Sequence, residues 1–120
     1  MTIANYLEDA LLDTLDGTSY SASATYLKLH TGAPGEDATG NAATETSRKQ
    51  VTFSAASGGS KVSDATVTWT NVSTTEAYTH WSMWDAATGG NALWYGALSS
   101  TASVTAGDTF EITSLTLTLD

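Results

Sequence analysis

Few residues in this sequence carry chemistry, and their spacing matches no catalytic pattern. The only histidines are His30 and His80, each inside a stretch that reads as strand. A strand histidine is ordinarily packed or hydrogen bonded, and a two-histidine metal site needs carboxylates that converge in space. Serines are abundant, but no G-x-S-x-G elbow accompanies them. A Ser-His-Asp set drawn from scattered residues has no specificity. The pairs Glu8-Asp9 and Glu36-Asp37 are adjacent in sequence, so their side chains splay and read as solvated surface. The acidic loop 35–41 departs from the D-x-[DN]-x-[DN]-G calcium spacing. Gly32, Gly35 and Gly40 form no phosphate cradle, because no G-K-[ST] follows them. With no cysteine, disulfides and thiolate metal sites are excluded. The residues therefore point to no catalytic group, no cofactor and no metal.

Charge narrows the partners. Lys28, Arg48, Lys49 and Lys61 stand against 13 carboxylates, a formal net charge of -9. Nucleic acid and anionic membranes both reward clustered cations, so neither is expected as a partner. Contacts with neighbours should instead use apolar or shape-matched patches. The N-terminus has no basic region ahead of its apolar stretch, and Glu8, Asp9, Asp13 and Asp16 interrupt it, so it reads as no signal peptide. At 120 residues the chain is one domain's worth, enough for a core without staples.

The elements that must position any site follow two periodicities. Residues 2–16 read as a helix: Ile3, Leu7, Leu11 and Leu15 recur every four residues, with acids mostly opposite. Thr2 is its expected N-cap and Gly17 its C′ residue. The helix should cover one sheet or an open end of the body; the alternative is a docking element that grips a neighbouring subunit. Beyond Gly17 the period becomes two. Strands are expected at 25–30, 49–53, 66–69, 78–84 and 92–98, with 85–91 closing a hairpin between the last two. A short strand is expected at 101–104. A final strand from Phe110 changes parity between Ile112 and Leu115, as a β-bulge near Thr113-Ser114 would cause. The stretches 32–46 and 54–60 read as loops. The fold class is mainly β: an antiparallel, jelly-roll-like β-sandwich over 25–120 with one N-terminal α-helix, forming a single domain.

The aromatic residues are the richest signal. Trp69, Trp81, Trp84 and Trp94 lie in strands, with Tyr78 and Tyr95 beside them. Trp81 and Trp84 differ in parity and so cannot share one core layer. Either both sheet faces are covered, or one tryptophan serves a subunit interface or a sugar-stacking platform. Leu7, Leu11, Trp81, Trp84, Trp94 and Tyr95 are the candidate interface residues.

Several blocks resemble a known family. They are Tyr26 to Gly35 (YLKLHTGAPG), Arg48 to Phe53 (RKQVTF), Thr79 to Gly90 (THWSMWDAATGG), Leu93 to Leu98 (LWYGAL) and the ending from Ala106 to Asp120. In order and spacing they resemble small tailed-bacteriophage virion proteins, labelled tail fibre, virion structural or capsid decoration proteins, over nearly the whole chain. Thr46-Ser47-Arg48-Lys49 stands where that pattern has Tyr-Ala-Arg. The resemblance implies a non-enzymatic particle protein, made in the host cytoplasm and carried on the virion surface. The first expectation is a capsid decoration (cement) protein, a homotrimer on the major capsid protein. The alternative is a tail or head fibre-associated protein that binds tail components and contacts the host surface. An enzyme such as a small wall hydrolase has no positive support.

Overall fold

The computed structural model describes residues 1–119; Asp120, the last residue of the expected sandwich, lies outside the described residues. The order is β1 (Thr2–Ile3), α1 (Asn5–Asp13) running on as a 3-10 turn (Thr14–Asp16), β2 (Thr25–His30), β3 (Lys49–Val51), β4 (Ser60–Val62), β5 (Val67–Trp69), β6 (Glu76–Trp84), β7 (Ala92–Val104), β8 (Phe110–Ile112) and β9 (Thr116–Thr118). The architecture is mainly β and antiparallel, as expected. Five strands form one sheet in the order β1-β7-β6-β2-β3. Two two-stranded ribbons, β4-β9 and β5-β8, complete it.

Period-two alternation sets the register. Leu27 stands opposite Met83 and Leu29 opposite Trp81, while Met83 and Trp81 face Trp94 and Gly96 of β7. Cross-strand partners share a face, so these side chains make one apolar surface. The ribbons add Val67, Trp69, Ile112 and Leu117 to the same buried cluster. Full burial of each such side chain is worth about 1.5–3 kcal/mol. Gly96 lets the strands pack closely here: a Cβ at that position would meet the Trp81 indole and Met1 Cα, each at 3.1 Å.

Four expectations need correction. Thr2 is not an N-cap, because Thr2 and Ile3 pair with Tyr95 and Trp94 as an edge strand. The helix begins at Asn5, after Ala4, whose amide donates to the Leu93 carbonyl. Backbone pairing with β7 outcompetes an extra helical turn there. Gly17 does end the helical segment, at φ 89°.

The expected bulge near Thr113-Ser114 is a strand break. Phe110–Ile112 pairs with β5, and Thr116–Thr118 pairs with β4. The chain crosses between ribbons over residues 113–115, so the parity change marks a change of partner.

The stretch 54–60 is a hairpin arm. Ser57 and Ser60 exchange both backbone hydrogen bonds around Gly58 and Gly59, at φ 60° and 78°. Two successive positive φ values suit the tight turns whose twist matches a hairpin. The strands expected at 92–98 and 101–104 are one strand, β7, with its register to β6 shifted between Tyr78 and His80.

Candidate interface site

Both faces of the five-stranded sheet are covered. The inner face carries Trp81 and Trp94 in the main core. On the outer face, Trp84 packs in a small cluster with Ala4, Ala38 and Ala92. Ala38 adopts φ 58° within the loop 31–47, which folds back over the strands. The Gly40 amide donates to the Pro34 carbonyl at 2.8 Å and fixes that loop. Arg48 lies 4.1 Å from the centre of the Trp84 ring and donates to the Ala86 and Gly89 carbonyls at 2.8 and 2.7 Å. This guanidinium ties the start of β3 to the hairpin loop between β6 and β7.

Beneath that cover runs a buried polar chain. Trp84 Nε1 donates to Ser82 Oγ at 2.8 Å. Ser82 Oγ stands 2.7 Å from His30 Nε2, and His30 Nδ1 stands 2.8 Å from the Gly40 carbonyl. The pair has the reach of a nucleophile and its base, but not the setting. Ser82 and His30 are both 0% exposed. The second ring nitrogen meets a backbone carbonyl where a catalytic histidine is oriented by a carboxylate. Burial pushes the His30 pKa down, partly offset by the Gly40 hydrogen bond, with Lys28 and His80 adding to the depression. The chain therefore holds the strands and loop together and does no chemistry on a substrate.

The other residues with chemical potential are dispersed. His80 stands opposite His30 in the register, with Nδ1 2.8 Å from Thr79 Oγ1. No group of three or more His, Asp or Glu side chains is placed to hold a metal among the described residues. Asp37 spends Oδ1 on the Thr39 amide and hydroxyl, which hold its carboxyl below the usual range.

The candidate interface residues divide into two groups. Leu7, Leu11 and Trp94 meet Leu117, Leu119 and Ala56 in an apolar groove of about 260 Å³ between α1 and the β4-β9 ribbon. Trp94 buries its indole N–H there with no acceptor among the described residues. Trp81 is a core residue and Trp84 lies under Arg48 and the 31–47 loop. Tyr95 is on the outer face, with its hydroxyl donating to Glu36 Oε1 at 3.0 Å. Beside the groove, Leu12, Leu15 and Leu119 are exposed by 64%, 81% and 56%. Sequence reasoning did not assign Leu117, Leu119 or Ala56 to a site. The 115-117-119 alternation carried the signal, but its terminal leucine reads equally as core.

Residues 2–120 match the family model described as podophage GP4 fiber I protein gp80. The chain belongs to this fiber I family. A comparison with curated protein sequences finds no match. Membership makes the chain a structural, non-enzymatic phage fibre protein and hence part of the virion. Between the two placements left open by the sequence, a fiber I protein agrees better with the fibre alternative than with the capsid decoration expected first. The closed polar chain at Ser82 and the covered sheet faces suit such a part, which works by holding shape.

Proposed function

We propose that this chain is a fibre-associated structural subunit on the surface of a phage particle, joined to tail or fibre components and presented toward the host. The observation that carries this reading is the match of residues 2–120 to the fiber I family. The shape agrees with it: Cα extents of 48 × 26 × 23 Å describe an elongated body. The subunit assembles symmetrically, with a homotrimer as the working stoichiometry, since closed symmetry is the usual state of repeated parts.

The test is to label purified virions with gold-conjugated antibody against this chain and to count its copies against the major capsid protein. Label on fibres with a low copy number is the expected result. Label spread over the head, at a copy number near that of the capsid protein, would restore the decoration reading. Light scattering on the purified chain checks the trimer; a monomer at all concentrations would remove it.

A further inference from the structure

A cavity opens where two strands leave regular pairing. Between the pairs Tyr78–Ala102 and His80–Ala97, β6 spends only Thr79 while β7 spends Leu98, Ser99, Ser100 and Thr101. Extra residues on one strand leave the ladder and bend that strand, a device common beside functional sites. The second break is the crossing 113–115, where the chain leaves β5 for β4. Together the two breaks wall a cavity of about 300 Å³ against Trp81.

Its lining divides by chemistry. Trp81, 3% exposed, and half-buried Leu98 and Phe110 give it an apolar floor. Ser99, Ser100, Glu111, Thr113 and Ser114 are exposed and stand around that floor. An apolar base with a few polar groups is the make-up of a small-molecule site, and this volume lies at the low end of the roughly 300–1,000 Å³ such sites span. One ring fits; an extended ligand does not.

Charge and polarity narrow the occupant. No cation lines the cavity, and Glu111 is its one charged side chain among the described residues. A phosphate or carboxylate would meet like charge there with no counter-charge. A lone exposed carboxylate holds a cation only weakly. A purely apolar ligand would strip water from the Ser99, Ser100, Thr113 and Ser114 hydroxyls and return no partner. A neutral sugar ring meets each condition. Its C–H face covers the apolar floor, and its hydroxyls donate to Glu111 and exchange hydrogen bonds with the serines and Thr113.

We propose that this cavity binds one ring of a neutral saccharide, with Glu111 accepting from its hydroxyls. This rests on the reading of the chain as presented toward the host and names the chemical class it meets there.

The full chain, labelled with nitrogen-15, is titrated by NMR with the methyl glycosides of glucose, galactose, mannose and N-acetylglucosamine. Methyl glucuronide and cyclohexanol serve as the anionic and apolar controls. At least one neutral glycoside should bind, shifting the amides of residues 98–102 and 110–115 and the Trp81 indole N–H, while both controls leave them unmoved. Glu111→Ala and Ser114→Ala change exposed positions and should keep the melting temperature. Glu111→Ala should weaken binding by about tenfold, the worth of a hydrogen bond to a charged group. Silence from every neutral glycoside, shifts centred elsewhere, equal shifts with cyclohexanol, or unchanged affinity in Glu111→Ala would each overturn the site. Those results leave the fibre placement standing. Gold label spread over the head would overturn the host-facing reading whether or not a sugar binds.

Discussion

Ser82 donates its hydroxyl proton to Nε2 of His30 across 2.7 Å, and the direction of that bond is fixed by its neighbours. The Gly40 carbonyl can only accept, so Nδ1 of neutral His30 carries the ring proton and Nε2 is left as acceptor. Trp84 Nε1 can only donate, so it takes a lone pair of Ser82 Oγ. Every polar atom of the chain is satisfied in this one arrangement.

Removing the hydroxyl breaks both bonds at once. Ser82→Ala leaves the Trp84 indole N–H and His30 Nε2 buried without partners, and each such loss costs about 1–3 kcal/mol. Urea denaturation at pH 7.5 should show a midpoint shift of that size with an unchanged slope. A shift within error of wild type would mean the chain contributes nothing net.

The same chain predicts the acid limb of stability. The His30 pKa is lowered on folding, chiefly by burial, so below pH 6.5 the unfolded state takes up a proton that the folded state refuses. Its contribution is therefore full above 6.5 and falls as pH drops from there toward the depressed folded value. Asp37 and Glu45 are also depressed, by hydrogen bonds from Thr39 and from Ser47, so their contributions hold above 3.8 and 4.5 and are lost below. The decline starting at 6.5 thus belongs to His30. Denaturation between pH 7.5 and 5 should lose its slope in His30→Gln and keep it in His80→Gln; the reverse pattern would contradict the assignment.

How much of this was readable depended on whether a residue acts through its own period or through a distant partner. The strand 25–30 and the inward set Trp81 and Met83 follow from alternation alone. The polar chain joins His30 and Ser82, 52 positions apart, through a sheet register that no local pattern specifies. The covering of Trp84 depends on Ala38, in a stretch that read as loop, and on Arg48, which fell between that loop and the expected strand 49–53. In the groove, Leu7 and Leu11 were found because they repeat at helical spacing. Leu119 was not, since its exposure depends on where the ribbon ends.

The hairpin loop offers a paired test of backbone strain against crowding. Gly89 and Gly90 both have positive φ, at 62° and 71°. A Cβ on Gly89 meets nothing within 4 Å, whereas one on Gly90 would meet Asp85 Oδ1 at 2.5 Å and Ala86 Cβ at 2.7 Å. Gly89→Ala should cost only the left-handed penalty, about 1–2 kcal/mol. Gly90→Ala should cost more, because Asp85 must also release its hydrogen bonds to Asn91 at 2.7 and 3.0 Å. Thermal denaturation of the two variants checks the order, and equal losses would show that the loop relaxes freely.

Tyr78 predicts the alkaline limb. Its ring is fully buried against Phe110, with centroids 5.2 Å apart, and its hydroxyl has no partner among the described residues. Burial, and then the Glu76 and Glu45 carboxylates, push its pKa up to about 12 from 10.0. Above pH 10 the unfolded state therefore loses a proton that the folded state keeps. The contribution is full below 10 and is lost as pH rises through 12. Tyr78→Phe removes a buried group that forms no hydrogen bond, so at pH 7 it should be neutral or stabilising by up to about 1 kcal/mol. The variant should also lose the part of the alkaline decline that begins at pH 10. Ultraviolet titration alongside urea denaturation reads both effects. Destabilisation of Tyr78→Phe by more than about 1 kcal/mol at pH 7 would mean that the hydroxyl makes a hydrogen bond after all.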